Sequence, residues 1–150
     1  MAVIKAIVGT RTAVTTTALN SLASATYVSA GTIDLTTPDP LDVLIEVSAT
    51  PGTTSGNRQV VVFARVSIDG TNYSTGPVSG TTATDEPNLK FLGTVPCNTN
   101  ATLQRNVLSV MSSLGYIPTH LEIVIKNDTG AALAATGHAV HYSTVVGDSA

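Results

Sequence analysis

Two stretches, "LDVLIEVSA" at residues 41–49 and "QVVVFARVSID" at residues 59–69, alternate apolar and polar side chains with a period of two. A strand places successive side chains on opposite faces, so this period commits both stretches to a sheet with a buried face. In the first, Leu41, Val43, Ile45 and Val47 share a face against Asp42, Leu44, Glu46 and Ser48. In the second, Val60, Val62, Ala64, Val66 and Ile68 share one, with Val61, Phe63, Arg65, Ser67 and Asp69 opposite. The second run stops at Asp69-Gly70, a pair that supplies the positive φ angles of a tight hairpin turn. "TNYSTGP" is then expected to return antiparallel, making residues 65–77 a hairpin.

The rest of the chain reads the same way. "LKFLGTVP" is a short strand stopped at Pro96, which has no N–H to give a ladder. "HLEIVIKNDTGAALAATGHAVHYSTVV" reads as a second hairpin, with Leu121, Ile123 and Ile125 inward, a turn at "NDTG" and an alanine-rich strand running back. "ATLQRNVLSVMSSLGYIP" carries two periods. Leu103, Val107, Val110 or Met111, and Leu114 have helical spacing, whereas Gln104, Asn106, Leu108 and Val110 fit a strand before a turn at "MSSLGY". Neighbouring β elements favour the strand.

The first 35 residues hold a threonine triplet and an Ala/Ser mixture, too little apolar surface for a core of their own. The expected organisation is an extended N-terminal arm over residues 1–20 and one domain over residues 21–150. That domain is all-β: about eight short strands separated by Gly, Pro, Asn and Asp turns make a two-sheet antiparallel β-sandwich, of which the jelly roll is one form.

Composition narrows the function classes. Charged residues are 11% of the 150, against roughly a quarter in ordinary soluble domains, and the net charge is −3. Seven scattered Lys and Arg give no electrostatic footprint for nucleic acid. The N-terminal apolar run stops at Gly9, too short for a membrane span, and a non-exported soluble protein is expected. Cys97 is the one cysteine, so no disulfide can form within the chain.

Catalysis needs titratable groups that converge, and the sequence offers little of that pattern. His138 and His141 are three apart in an expected strand, which points them to opposite faces rather than at a common zinc ion. His120 is expected to begin a strand. Cys97 has no histidine near it in sequence and reads as a small semi-buried residue. Asp85 and Glu86 read as a solvated turn beside Pro87, and Asp39 and Asp42 flank a strand entry. Phosphate loops, nucleophile elbows and Cys-x-x-Cys pairs are missing from the sequence. The reading is therefore not an enzyme, with no catalytic residue, cofactor or metal ligand assigned.

One stretch invites a site: Asp69, Gly70, Asn72 and Tyr73. Asp69 and Asn72, with Thr71 and Ser74, could offer oxygens to calcium, but the further carboxylates of a calcium loop are missing. An aromatic after such a turn also occurs in sugar-binding sandwich modules. Aromatics are 4% of this chain and Trp is absent, so a hairpin that makes surface contacts is preferred.

Beyond single motifs, the order of segments carries a resemblance. "ALNSLASATYVSAG", "LDVLIEVSATPGTTSGNRQVVVFARVSIDGTNYSTGP", "NLKFLGTVPCNTNAT", "SLGYIPTHLEIVIKNDTGAAL" and "GHAVHYS", spanning most of residues 18–143, resemble small virion proteins of tailed bacteriophages. The resemblance implies a structural particle component, above all a capsid decoration or cement protein on the capsid exterior. Such a protein has a sandwich or jelly-roll body, is often a homotrimer, and takes the major capsid protein as its partner. A tail-tube or head–tail connector protein and a carbohydrate-binding host-surface module are the alternatives.

Overall fold

A computed structural model describes residues 4–149; residues 1–3 of the expected arm and residue 150 lie outside them. The described strands are β1 (Ile4–Val8), β2 (Thr12–Thr15), β3 (Tyr27–Asp34), β4 (Asp42–Ala49), β5 (Gln59–Ser67), β6 (Ser79–Gly80), β7 (Lys90–Pro96), β8 (Gln104–Ser109), β9 (His120–Asp128) and β10 (Ala139–Ser149). A single turn of helix, α1 (Val110–Leu114), follows β8. No described helix is long and apolar enough to cross a membrane.

The strands form two antiparallel five-stranded sheets. The first runs β1-β10-β4-β8 with β2 also on β10, and the second runs β6-β3-β9-β5-β7. The pairing is nested: β2 with β10, β3 with β9, β4 with β8, β5 with β7. Except from β5 to β7, the chain changes sheet between successive members of this set, which is the jelly-roll arrangement. The all-β two-sheet sandwich read from the sequence is what the chain forms.

Alternation does its work at the centre. Val43, Ile45 and Val47 of β4 face Val60, Val62 and Ala64 of β5 and Leu121, Ile123 and Ile125 of β9, all fully buried in one apolar cluster. Each such Val, Leu or Ile contributes about 1.5–3 kcal/mol by leaving water. The opposite face of β5 departs from expectation. Val61 and Phe63 are buried too, under Leu89 and Val78 and beside Tyr27 and Val124. The segment between β5 and β7 folds back over the second sheet, so that sheet is covered on both faces.

Several expectations of detail fail. Leu41 precedes β4 and is 51% exposed, outside the core row to which its period assigned it. The expected hairpin over residues 65–77 has no returning strand: residues 68–78 run as a loop, and β5 takes β7 and β9 as neighbours. The expected hairpin from β9 to β10 does not form either, because the two strands belong to different sheets. A buried polar anchor diverts the chain there. Asn127 Nδ2 donates to Leu22 O at 2.8 Å and Ala131 O at 2.7 Å, its Oδ1 accepts from Thr129, and Leu133 N–H bonds Leu22 O. A buried amide with its hydrogen bonds satisfied is costly to move, so residues 127–133 are tied to the 20–26 segment.

The doubly periodic stretch contains both elements in succession, β8 and then α1. The extended N-terminal segment lies on the chain's own β10, with β1 pairing its far end and β2 its near end.

Candidate functional site

The Asp69 turn is built for its own stability. Asp69 Oδ1 accepts from Thr71 N at 2.9 Å, Asn72 N at 2.8 Å and Ser67 Oγ at 2.8 Å, while Oδ2 accepts from Asn72 Nδ2 at 2.6 Å. The Asn72 and Thr71 backbone donors hold this carboxyl well below the usual carboxylate range. Gly70 has φ 76°, the left-handed region that favours glycine, and a Cβ there would stand 2.8 Å from His120 Nε2, whose ring would have to shift. Both oxygens of the carboxylate accept hydrogen bonds within the turn, and among the described residues no three His, Cys, Asp or Glu side chains gather as a metal site.

Tyr73 lies 5.7 Å from the Arg65 guanidinium. Arg65 in turn donates to Ser74 O at 2.6 Å and Glu122 Oε2 at 2.9 Å, and Glu122 Oε1 accepts from Ser29 Oγ at 2.7 Å. Burial, then the nearby Glu122 carboxylate, raises the Tyr73 hydroxyl. The half-buried ring therefore sits beside an Arg65 that is itself held by Glu122 and Ser74. The missing strand is replaced by one residue: Ser74 N donates to Val66 O at 2.9 Å and Ser74 Oγ accepts from Val66 N at 3.1 Å. Because the chain turns at Ser67, Ile68 is left 91% exposed instead of feeding the core.

Ile68 has company. α1 starts at Ser109, whose Oγ accepts from Ser112 N at 3.0 Å, and stops at Gly115, which has φ 77°. The stop turns Tyr116, Ile117 and Pro118 across one end of the sandwich. A cleft of ≈ 370 Å³ on one side of this ridge is lined by Leu35, Leu41, Met111 and Pro118. A second, of ≈ 380 Å³, is lined by Val66, Ile68, Asn72 and Tyr116. Ile117, Pro118 and Thr119 line both, so the clefts adjoin. With Leu41 at 51%, Met111 at 38% and Tyr116 at 44% exposure, this end presents a run of large apolar side chains that a monomer seldom leaves to water. Of the residues singled out from the sequence, Asn72 belongs here, while Asp69 and Gly70 support it from behind.

Two polar clusters had no local signal in the sequence, because their members are far apart in the chain. On the outer face of the first sheet, Glu46 Oε1 accepts from Arg11 Nε at 3.1 Å and Nη2 at 2.5 Å, with Arg105 Nε at 3.5 Å and His141 Nδ1 at 3.8 Å. The Arg11 hydrogen bond lowers the Glu46 carboxyl, while burial and then Arg11 lower His141 and favour its neutral form. On the second sheet, Glu86 accepts from the Tyr27 hydroxyl and from Lys126 Nζ at 2.7 Å, and Lys126 also lies 5.1 Å over the Tyr27 ring. Glu86 is thus a clamp on the loop that covers this sheet, not the solvated turn residue expected. Burial raises its carboxyl, and Lys126 and Tyr27 more than offset that, leaving it lowered.

The remaining candidates are structural. Cys97 is buried and burial pushes its thiol up, away from the reactive thiolate. His138 lies just before β10, where Nδ1 accepts from Thr50 N at 3.1 Å and Nε2 donates to Ala134 O at 2.8 Å. His120 does begin β9. Comparison with family models, characterised proteins and solved structures finds no match to this chain.

Proposed function

We propose that the chain is a structural virion component of a tailed bacteriophage: a capsid decoration protein that binds the outside of the head shell as a homotrimer and cements the major capsid protein. The observation that carries this reading is the apolar end of the sandwich, where Leu41, Ile68, Met111 and Tyr116 surround two adjoining clefts. A low-charge jelly roll whose polar clusters are internally paired supports binding by shape and apolar contact. The segment order noted above supports the phage assignment. A single half-buried aromatic at this turn, Tyr73 beside Arg65, speaks against the sugar-binding alternative.

The mechanism is mass action. A protein that binds the assembled shell and not its free subunits stabilises the shell by the binding free energy of every copy attached.

Pelleting of the purified chain with head shells tests the docking end. Wild type sediments with the shells. Ile68→Asp, at a site too exposed to carry the fold, loses binding, and Thr81→Asp on a distant exposed loop does not. Equal sedimentation of all three, or none by wild type, contradicts the reading.

A further inference from the structure

Sheet edges expose unpaired N–H and C=O groups, and proteins usually blunt them. This chain does so along the β7 and β8 side. Asn106 Nδ2 donates to Thr94 O at 2.8 Å, Ser113 Oγ donates to Leu92 O at 2.8 Å, and the Leu108 side chain packs on Gly93. At the edge of the second sheet, β6 is only two residues long. Near the two ends of the described chain an edge is left open. β4 accompanies β10 as far as the Val145–Asp42 pair, whereas β1 accompanies it onward to Ser149. Residues 4–7 and 146–149 therefore make a two-stranded ribbon with, among the described residues, no strand on either side. An isolated two-stranded ribbon is marginally stable in water, and Ile7 is exposed on this one.

Which groups the ribbon offers follows from its hydrogen bonds. Gly9 N donates to Thr144 O at 2.7 Å, so alternate residues Ile7 and Lys5 also bond inward, and Ala6 and Val8 turn N–H and C=O outward. On the other strand, Val145 O accepts from Leu41 N at 2.7 Å on the β4 side, so Gly147 turns its groups to that same, open side. The ribbon thus carries two free edges, one centred on Ala6 and one on Gly147. In the ribbon's own register Ala6 stands across from Gly147 and Lys5 from Asp148.

We propose that this ribbon is a strand-addition joint between copies of the chain, in which the Ala6 edge of one copy pairs antiparallel with the Gly147 edge of the next. Repeating the ribbon's register across the joint sets outward-facing Ala6 against outward-facing Gly147 as a hydrogen-bonded pair. It also sets the exposed Lys5 of one copy beside the exposed Asp148 of the next, so charge alternates across the extended sheet. The partner is a second copy because one chain supplies both complementary edges, at the same height and with opposite charge. The contact is head-to-tail, which closes into a ring when the rotation permits. This deepens the homo-oligomer part of the preceding reading and needs no shell.

Proline decides it. Proline is tolerated in an edge strand where its position has no ladder bond to give, so Ala6→Pro leaves the ribbon intact while removing the outward donor. Sedimentation velocity of the full chain across a concentration series is expected to show association by wild type. Ala6→Pro is expected to keep the wild-type thermal unfolding in a separate melt and, in the same sedimentation series, to associate at least about tenfold more weakly. A wild type that stays monomeric at all concentrations overturns the joint, as does an Ala6→Pro protein that associates like wild type. Shell pelleting of Ala6→Pro keeps the two readings separate, because retained shell binding by a non-associating variant supports docking through the apolar end alone.

Discussion

The Asp42 carboxylate accepts a hydrogen bond from the backbone N–H of Met111 at 2.9 Å. Its other oxygen accepts from Ser109 Oγ at 2.6 Å. Asp42 thereby joins the start of β4 to α1 and holds Met111 and the Tyr116 ridge at the end of the sandwich. Asp42→Ala is expected to cost about 1 kcal/mol, the scale of a lost capping contact at a helix start, as measured by urea unfolding. Stability equal to wild type would show that the helix is placed by packing alone.

Gly130 and Gly80 separate backbone strain from crowding. Both have positive φ, 81° and 67°, but a Cβ on Gly130 would stand 2.6 Å from Ser55 O, whereas one on Gly80 meets open space. Gly80→Ala should cost about 1 kcal/mol and Gly130→Ala more, by about another 1–3 kcal/mol, because backbone cannot step aside. Equal costs would mean that the 128–130 turn is not pressed against Ser55.

Both sites bear on how much the sequence disclosed. Alternation located β4, β5, β7 and β9 and the core rows Val43-Ile45-Val47 and Leu121-Ile123-Ile125, since side-chain period is a local property. It misplaced Ile68, because the same period continues past Ser67 while the strand ends at Ser67 and the chain has left the sheet. It misassigned the β9–β10 connection, because a hairpin and a sheet-to-sheet crossover share the same turn residues; the difference is made by Asn127 reaching Leu22, 105 residues away. The candidate site was less legible than the fold. The apolar end gathers Leu41 and Ile68 from two loops and Met111 and Tyr116 from α1 and the turn after it, and no single period links them.

Acid should loosen the loop over the second sheet. Glu86 has its carboxyl lowered in the folded chain, so its contribution is present above its ordinary value of 4.5 and is lost as pH falls through the folded value. Glu46, lowered by Arg11, adds to the same acid loss. Glu86→Gln is expected to cost about 1 kcal/mol near neutrality, a partly exposed ion pair being screened, and to shrink the stability difference between neutral and acid pH. Thermal unfolding followed against pH checks it, and an acid loss as large in Glu86→Gln as in wild type would contradict the clamp.

Calcium should leave the protein unmoved. The Asp69 oxygens are engaged by Ser67, Thr71 and Asn72, so adding calcium in excess is expected to leave the thermal midpoint unchanged, whereas Asp69→Ala lowers it by freeing those donors. A calcium-dependent rise that disappears in Asp69→Ala would make this turn an ion site after all.

The central claim concerns a particle, and counting copies in the particle tests it most directly. Quantitative mass spectrometry of purified phage heads should find this chain at many copies per head, in fixed ratio to the major capsid protein. Its absence from purified heads, or a number of only a few per head, would contradict the account.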